Sequence, residues 1–190
     1  MKLVIGLVGE NGSGKGTVIK LLSQSTKPYS LERITFSDFL KETLTLWRLS
    51  GSRDNFAKLV RAMRETYGEN TLAHAIQIRA QKSSADIVLL DGVRWEADAS
   101  LVRSFKKNLL IYVTADAHTR FERLRGRGEK SGEAAMTFEK FTTEEETPNE
   151  QGIPALGKTA DIRIENNGTE RNLEKEVITV WKNNILPLLS

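Results

Sequence analysis

The stretch "GLVGENGSGKGTVIKLL", residues 6–22, decides the fold. It fits the pattern G-x-x-x-x-G-K-[ST] from Gly9 through Gly14 and Lys15, except that Gly16 follows the lysine and the hydroxyl waits until Thr17. Val4 to Val8 is an apolar run of strand length, and Gly9 to Gly14 is a turn whose missing Cβ atoms permit positive φ. Thr17 to Leu22 then has a helical pattern. Strand, glycine turn and helix in that order is the context that gives the pattern meaning. Successive N–H groups of Glu10, Asn11, Gly12, Ser13, Gly14, Lys15 and Gly16 can point into one concavity. The positive end of the helix dipole lies behind them and the Lys15 charge beside them, so a di- or triphosphate suits the cradle.

The totals narrow the class. At 190 residues the chain has the length of one domain with small insertions. No run approaches about 18 apolar residues and no signal-like segment precedes the first strand, so we expect a cytoplasmic protein without a membrane partner. The absence of cysteine excludes disulfides and thiolate chemistry, and His74 and His118 are too isolated to suggest a metal cluster. With 28 Lys and Arg against 25 Asp and Glu, the net charge of +3 is weak support for a nucleic-acid partner. The charge is uneven, however. Arg120, Arg123, Arg125, Arg127 and Lys130 form a basic segment, and Glu139, Glu144, Glu145, Glu146 and Glu150 an acidic one.

Further along, "LERITF" (31–36) reads as a strand, with Ser37 or Asp38 placed to cap a helix carrying Leu40, Leu44 and Trp47 on one face. Phe56, Leu59, Val60, Met63 and Tyr67 recur at helical spacing over 53–67, with Gly68 ending the run, and Asn70 opens another helix through Ala80. "DIVLLD" (86–91) and "LLIYVT" (109–114) are nearly continuous apolar runs, as expected of strands buried on both faces. A basic helix is expected over 116–127, then an irregular stretch marked by Gly126, Gly128, Gly132, Pro148 and Gly152, with one short helix near 138–146. "DIRIE" (161–165) is the last strand, Asn166-Asn167-Gly168 a turn, and Thr169 the cap of a final helix with Leu173, Val177 and Trp181 inward. Five strands alternating with helices predict an α/β three-layer domain on a parallel sheet.

The loop "GENGSGKGT" resembles that of adenylate kinase and related nucleoside monophosphate kinases, which carry G-K-G-T where GTPases carry G-K-[ST]. The resemblance implies a P-loop fold with a five-stranded parallel sheet, a helical acceptor-binding insertion and a lid. It implies ATP as donor, with Lys15 bridging the phosphates, Thr17 inheriting the hydroxyl role, and Mg2+ held largely through water. "VLLDGVRWEADA" (88–99) looks like the segment L-L-D-G-F-P-R of those kinases, one residue shorter, and like D-V-R-F-x-N-E-A of phage-type deoxynucleoside monophosphate kinases. On that likeness Asp91 serves Mg2+ and Arg94 an acceptor phosphate, the plainer alternatives being a helix cap and a surface salt bridge. "ITFSDFLKE" (34–42) is similar to the start of the family's acceptor region and brings in Asp38 and Lys41, joined by Arg64 from the following helices. "TRFERLRGR" (119–127) resembles the family's lid entrance, making Arg123 and Arg127 catalytic cations, with Arg120 on the same helical face. The tail 159–177 resembles dephospho-coenzyme A kinases and their archaeal relatives, which places Asn166, Asn167 and Gly168 against the adenine, a plain turn being the alternative.

These likenesses divide one kinase domain, 1–190, into a core (1–36, 86–118 and 159–190), acceptor helices (about 37–82) and a lid (about 119–155). The expected reaction moves the γ-phosphoryl group of ATP to a small nucleotide-like acceptor, first a nucleoside or deoxynucleoside monophosphate and second dephospho-coenzyme A. A P-loop ATPase acting as a switch or beside nucleic acid is the rival class. N-K-x-D is absent and Asp91 is followed by Gly92 rather than glutamate, so transfer is favoured over hydrolysis. Monomer and homodimer both remain open.

Overall fold

The computed structural model describes residues 2–127 and 134–189. Gly128, Glu129, Lys130 and Gly132 lie outside the described residues. Strand β1 (Leu3–Val8) runs into the glycine loop and helix α1 (Lys15–Ser25). Strand β2 (Leu31–Thr35) leads into α2 (Phe36–Leu46), α3 (Arg53–Tyr67) and α4 (Thr71–Lys82). Next come β3 (Ile87–Val93), α5 (Glu96–Arg103), β4 (Lys107–Thr114), α6 (Ala117–Arg127) and α7 (Phe138–Glu145). The short α8 (Ile153–Gly157), β5 (Ile162–Glu165) and α9 (Glu170–Val180) follow, and a π-helical turn over Trp181–Ile185 precedes a last turn at Leu186–Leu189.

All neighbouring strands pair in parallel, in the order β2-β3-β1-β4-β5. Alternating residues of each central strand enter two different cores. Leu3, Ile5, Leu7, Ile87, Leu89, Ile111 and Val113 meet α1 and α9 on one face. Val4, Val8, Val88, Leu90, Leu110 and Tyr112 meet α4, α5 and α8 on the other. Burial on both faces is why these strands read as unbroken apolar runs. Two smaller clusters sit beyond the sheet. Leu40, Leu44 and Leu59 join α2 to α3, and Phe121, Leu124, Met136 and Phe141 join α6 to α7.

Several expectations need correction. Helix α2 begins at Phe36, so Thr35 is its N-cap, Asp38 falls in the first turn, and no side chain caps it. Asn70 is the N-cap of α4 but accepts no hydrogen bond through its side chain. Trp47 is 59% exposed, because α2 stops at Leu46 and Arg48 turns left-handed at φ 57°. Tyr67, at the end of the α3 stripe, is 76% exposed. The stretch read as irregular contains α8, whose Ile153 is fully buried.

Leu90, with no exposed surface, should be hard to replace. Leu90→Ala is expected to cost about 2–5 kcal/mol of stability, measured by urea unfolding. The same change at Leu46, 82% exposed, should cost less than about 0.5 kcal/mol.

Candidate active site

The central position of β1 between β3 and β4 opens a crevice at the strand ends, where such sheets bind ligands. The loop entering it is shaped by two glycines in the left-handed region. Gly12 has φ 79°, and a Cβ there would lie 2.5 Å from the Arg120 carbonyl oxygen. Gly14 has φ 96°, and a Cβ there would meet Asn166 Nδ2 at 2.2 Å. Asn166 is itself buried and donates from Nδ2 to the Ser13 carbonyl at 2.9 Å, tying the turn after β5 to the loop. Its neighbour Asn167 accepts from the Asp116 N–H at 2.8 Å.

Lys15 donates through Nζ to the Gly9 and Glu10 carbonyl oxygens, at 2.5 and 2.9 Å. Burial pushes its ammonium down to about 8; Arg94 lowers it further, and the carboxylates of Asp91, Glu150 and Glu10 oppose the shift. Three carboxylates and a second cation therefore share the lysine's field. Glu10 is 7% exposed; its Oε1 accepts from Tyr112 Oη and, at 3.3 Å, from Thr114 Oγ1. Burial, with the Glu10 hydrogen bond, pushes the Tyr112 phenol up to about 12.

Asp91 lies near the end of β3, opposite Leu7 of β1. One of its oxygens, Oδ2, accepts from Arg33 of β2, with Nε at 3.1 Å. Arg94 pairs with Glu150, whose side chain is largely buried, and donates to the Asn149 carbonyl at 3.4 Å. Arg64 reaches Glu69 at 2.9 Å and stacks its guanidinium 4.2 Å from the Trp95 ring centroid. Asp98 takes both the Arg94 and Trp95 N–H groups on Oδ2, at 3.0 and 3.1 Å, and burial pushes its carboxyl up to about 6. These side chains edge a cavity of about 30 Å³ with Val60, Met63 and Leu72. Asp38 and Lys41 are both exposed on α2.

On α6 the three-arginine face needs correction. Arg120 is buried, donating from Nε to the Ala115 carbonyl at 2.9 Å and from both Nη atoms to Glu145, one contact at 3.0 Å. Arg123 is half-buried, with Nη2 3.4 Å from Asn166 Oδ1 and Nη1 buried without a hydrogen-bond partner. Arg127 is exposed. A second orphan, Ser13 Oγ, belongs to the phosphate loop and can donate to a phosphate oxygen, whereas Glu10 Oε2, also without a partner among the described residues, is acceptor-only and cannot. Buried polar atoms without partners are uncommon and point to groups that a ligand completes. Local patterning gave no sign of the pairings of Arg33, Glu150, Tyr112 and Trp95, whose partners stand far away in sequence, and the capping role of Asp98, which takes N–H groups three and four residues back, was missed although it is local.

A glycine loop, a partly buried lysine and a strand-ending aspartate on a 2-3-1-4-5 parallel sheet define a P-loop domain. The chain belongs to the AAA domain family, whose model matches residues 5–147. A UPF0200 protein of Hyperthermus butylicus is 27% identical over 175 residues, covering 92% of this chain and 91% of its own length. One from Staphylothermus marinus is 28% identical over 171 residues, covering 89% and 86%. In fold, shikimate kinase from Bacteroides thetaiotaomicron matches with a TM-score of 0.62 at 14% identity, over 95% of this chain and 97% of that one. The Mycobacterium tuberculosis APS kinase in complex with AMPPNP and APS gives 0.55 at 17%, over 96% and 98%.

The lowered Lys15 pKa has a signed consequence. A polyphosphate stabilises the charged ammonium and raises its pKa, so at pH values between about 8 and 10.5 binding should take up a proton. Calorimetry with AMPPNP in buffers of different ionisation heat should show uptake approaching one proton near pH ~9 and little near pH ~6.5. Lys15→Ala should abolish the uptake.

Proposed function

We propose that the chain is an ATP-dependent phosphotransferase that moves the γ-phosphoryl group to a nucleoside or deoxynucleoside monophosphate. The observation that carries this reading is the left-handed glycine loop, with Lys15 on the Gly9 and Glu10 carbonyl oxygens, set beside the strand-ending Asp91 opposite Leu7 of β1. A donor-phosphate cation and a carboxylate for magnesium waters then stand at one crevice. Phosphoryl transfer needs little covalent help from the protein, so positioning and charge neutralisation suffice.

The residues fit magnesium in a specific way. Asp91 commits Oδ2 to Arg33 and has a second oxygen, and Thr17 opens the helix behind the loop. Mg2+ that arrives on nucleotide phosphates keeps most of its waters and asks for one or two such protein groups. When bound it would neutralise charge developing on the transferred group. Among the described residues no three His, Cys, Asp or Glu side chains gather as a metal cage. On the donor side, the unpartnered Arg123 Nη1 beside Asn166 supports the ATP assignment of Arg123, Asn167 and Gly168. On the acceptor side, Arg94 is followed in the chain by Trp95, whose ring stacks on the Arg64 guanidinium at 4.2 Å, so two cationic side chains and an aromatic face stand together there. Asp38, Lys41 and Arg64 complete that assignment, and residues 119–155 act as lid. Dephospho-coenzyme A is a second acceptor, favoured by the Asn166 contact with the loop in the tail that resembles that family. Both acceptors are small molecules, and neither nucleic acid nor membrane is needed.

An ADP-release assay across the common ribo- and deoxyribonucleoside monophosphates and dephospho-coenzyme A should show acceptor-dependent turnover with one group. ATP consumption unaffected by every acceptor would instead mark a hydrolase. With that acceptor, Asp91→Asn should lower kcat more than about tenfold and recover in part at high magnesium. Arg123→Ala should lower kcat by about 100-fold with a smaller change in ATP dissociation constant, read by calorimetry beside steady-state kinetics.

A further inference from the structure

The crevice over the phosphate loop holds an unexpected amount of negative charge. A cleft of about 410 Å³ there is lined by Glu10, Arg120, Glu145, Glu146 and Glu150, among others. A site meant for polyphosphate should present cations. Arg120 lines the cleft, Arg94 and Lys15 stand behind its glutamates, and all three cations are engaged. Arg120 has both Nη atoms on Glu145. Arg94 has Nη1 on Glu150, whose side chain is only 14% exposed. A third, Lys15, has its ammonium on two loop carbonyls and feels the Glu150 charge. A carboxylate facing a guanidinium fork offers the same oxygens and sign as a phosphate. Glu150 and an incoming phosphate therefore compete for Arg94, and their like charges repel in the same cleft.

The segment carrying these glutamates has its buried apolar anchors at its two ends. Phe141 is buried against α6 and Ile153 is buried in the sheet core, while residues 146–149 are exposed. Between the anchors the backbone makes short-range turn bonds, such as Glu150 N–H to the Thr147 carbonyl at 2.9 Å.

We propose that residues 145–150 form an acidic latch, in which Glu150 and Glu145 hold Arg94 and Arg120 in the nucleotide-free protein and are displaced by substrate phosphates. The latch rests on the reading of this crevice as a phosphoryl-transfer site and adds its regulation. Arg94 then becomes available only to an anion of enough charge to replace a carboxylate. The free Glu10 Oε2, aligned on the same cleft, adds to the repulsion that an incoming phosphate must overcome.

Inorganic tripolyphosphate tests the latch without any assumption about the acceptor, using the full chain and titration calorimetry. Glu150→Gln removes the competing charge and should bind tripolyphosphate about tenfold more tightly than wild type. The gain should vanish in the double variant Arg94→Ala/Glu150→Gln. Hydrogen exchange in the wild type should quicken over residues 142–151 on adding tripolyphosphate, as the latch leaves. If Glu150→Gln does not fold, Glu150→Asp, with its shorter reach, should shift affinity in the same direction by less. Unchanged or weaker binding by Glu150→Gln, or slower exchange over 142–151 with ligand, would make Glu150 a structural staple and overturn the proposal. If tripolyphosphate binds neither the wild type nor any variant, the phosphate-site reading falls and takes the latch with it. Wild-type binding that is lost in Lys15→Ala but indifferent to Glu150→Gln defeats the latch alone.

Discussion

The chain must leave the central strand, reverse through six residues and start a helix while keeping its N–H groups turned toward one point. This passage from β1 through Gly9–Gly14 to α1 is the constraint from which the site's other positions follow. Packing enforces it from two sides. The Arg120 carbonyl closes on Gly12, and Asn166 closes on Gly14 while bonding to Ser13. Residues from α6 and from the turn after β5 are thereby fixed against the same loop. Because β3 and β4 flank β1, Asp91 and Thr114 arrive at the loop's edges without any contact of their own being needed to bring them. The sheet, buried on both faces, supplies the rigidity and the loop supplies the chemistry.

Charge in the site is balanced locally. Asp91 faces Arg33, Arg94 faces Glu150, Arg120 faces Glu145, and Arg64 faces Glu69. Partly buried pairs of this kind give little net stability, because desolvation cancels much of the attraction, but removing one member strands the other. That asymmetry explains how such pairs can be exchanged for a ligand of matching charge. The unpaired atoms tell the complementary story. Glu10 Oε2, Ser13 Oγ and Arg123 Nη1 cluster at the loop and its flank rather than being scattered through the core.

Much of this was legible in the sequence, for local reasons. Three apolar runs and two short mixed stretches bounded by polar turns marked the strands, and Thr169 caps α9 through its side chain as short-range rules require. The loop motif combined with its strand and helix located Lys15 and Asp91 at one crevice. What was hidden is non-local. No property of "LERITF" announces that Arg33 will meet Asp91, because that follows from β2 pairing with β3 in a register that sets Thr35 opposite Asp91. Arg120 looked like part of an anion-binding face because helical spacing reports which residues share a side and not what packs there. Glu145, arriving from α7, turned it inward. Trp47 and Tyr67 failed for the reverse reason, since an apolar stripe was extended past the point where the helix still touched the core.

The arrangement also separates two ends of the crevice. Arg123, Asn166 and Asn167 lie on the β4–β5 side, where the loop's helix begins. Arg94, Trp95, Asp98 and Arg64 lie on the β3 side beneath the helices that follow β2. Lys15 stands between them, and its charge responds to groups of the second side. On the proposed reading the donor enters from one end, the acceptor from the other, and the transferred group crosses at the lysine. The match to the AAA domain family covers residues 5–147, which takes in the acceptor end and Arg123 but neither Asn166 nor Asn167, and it does not distinguish water from a bound acceptor. That distinction rests on the acceptor end itself. A guanidinium lying 4.2 Å from the Trp95 ring shows that this indole face accepts a flat, delocalised group. Asp98 beside it, drawn upward toward about 6 by burial, is an acceptor for N–H donors that few solvent waters reach. On the proposed reading this stacking face and buried carboxyl, held beside Arg94 by the α5 capping box, serve to orient a nucleotide-like acceptor.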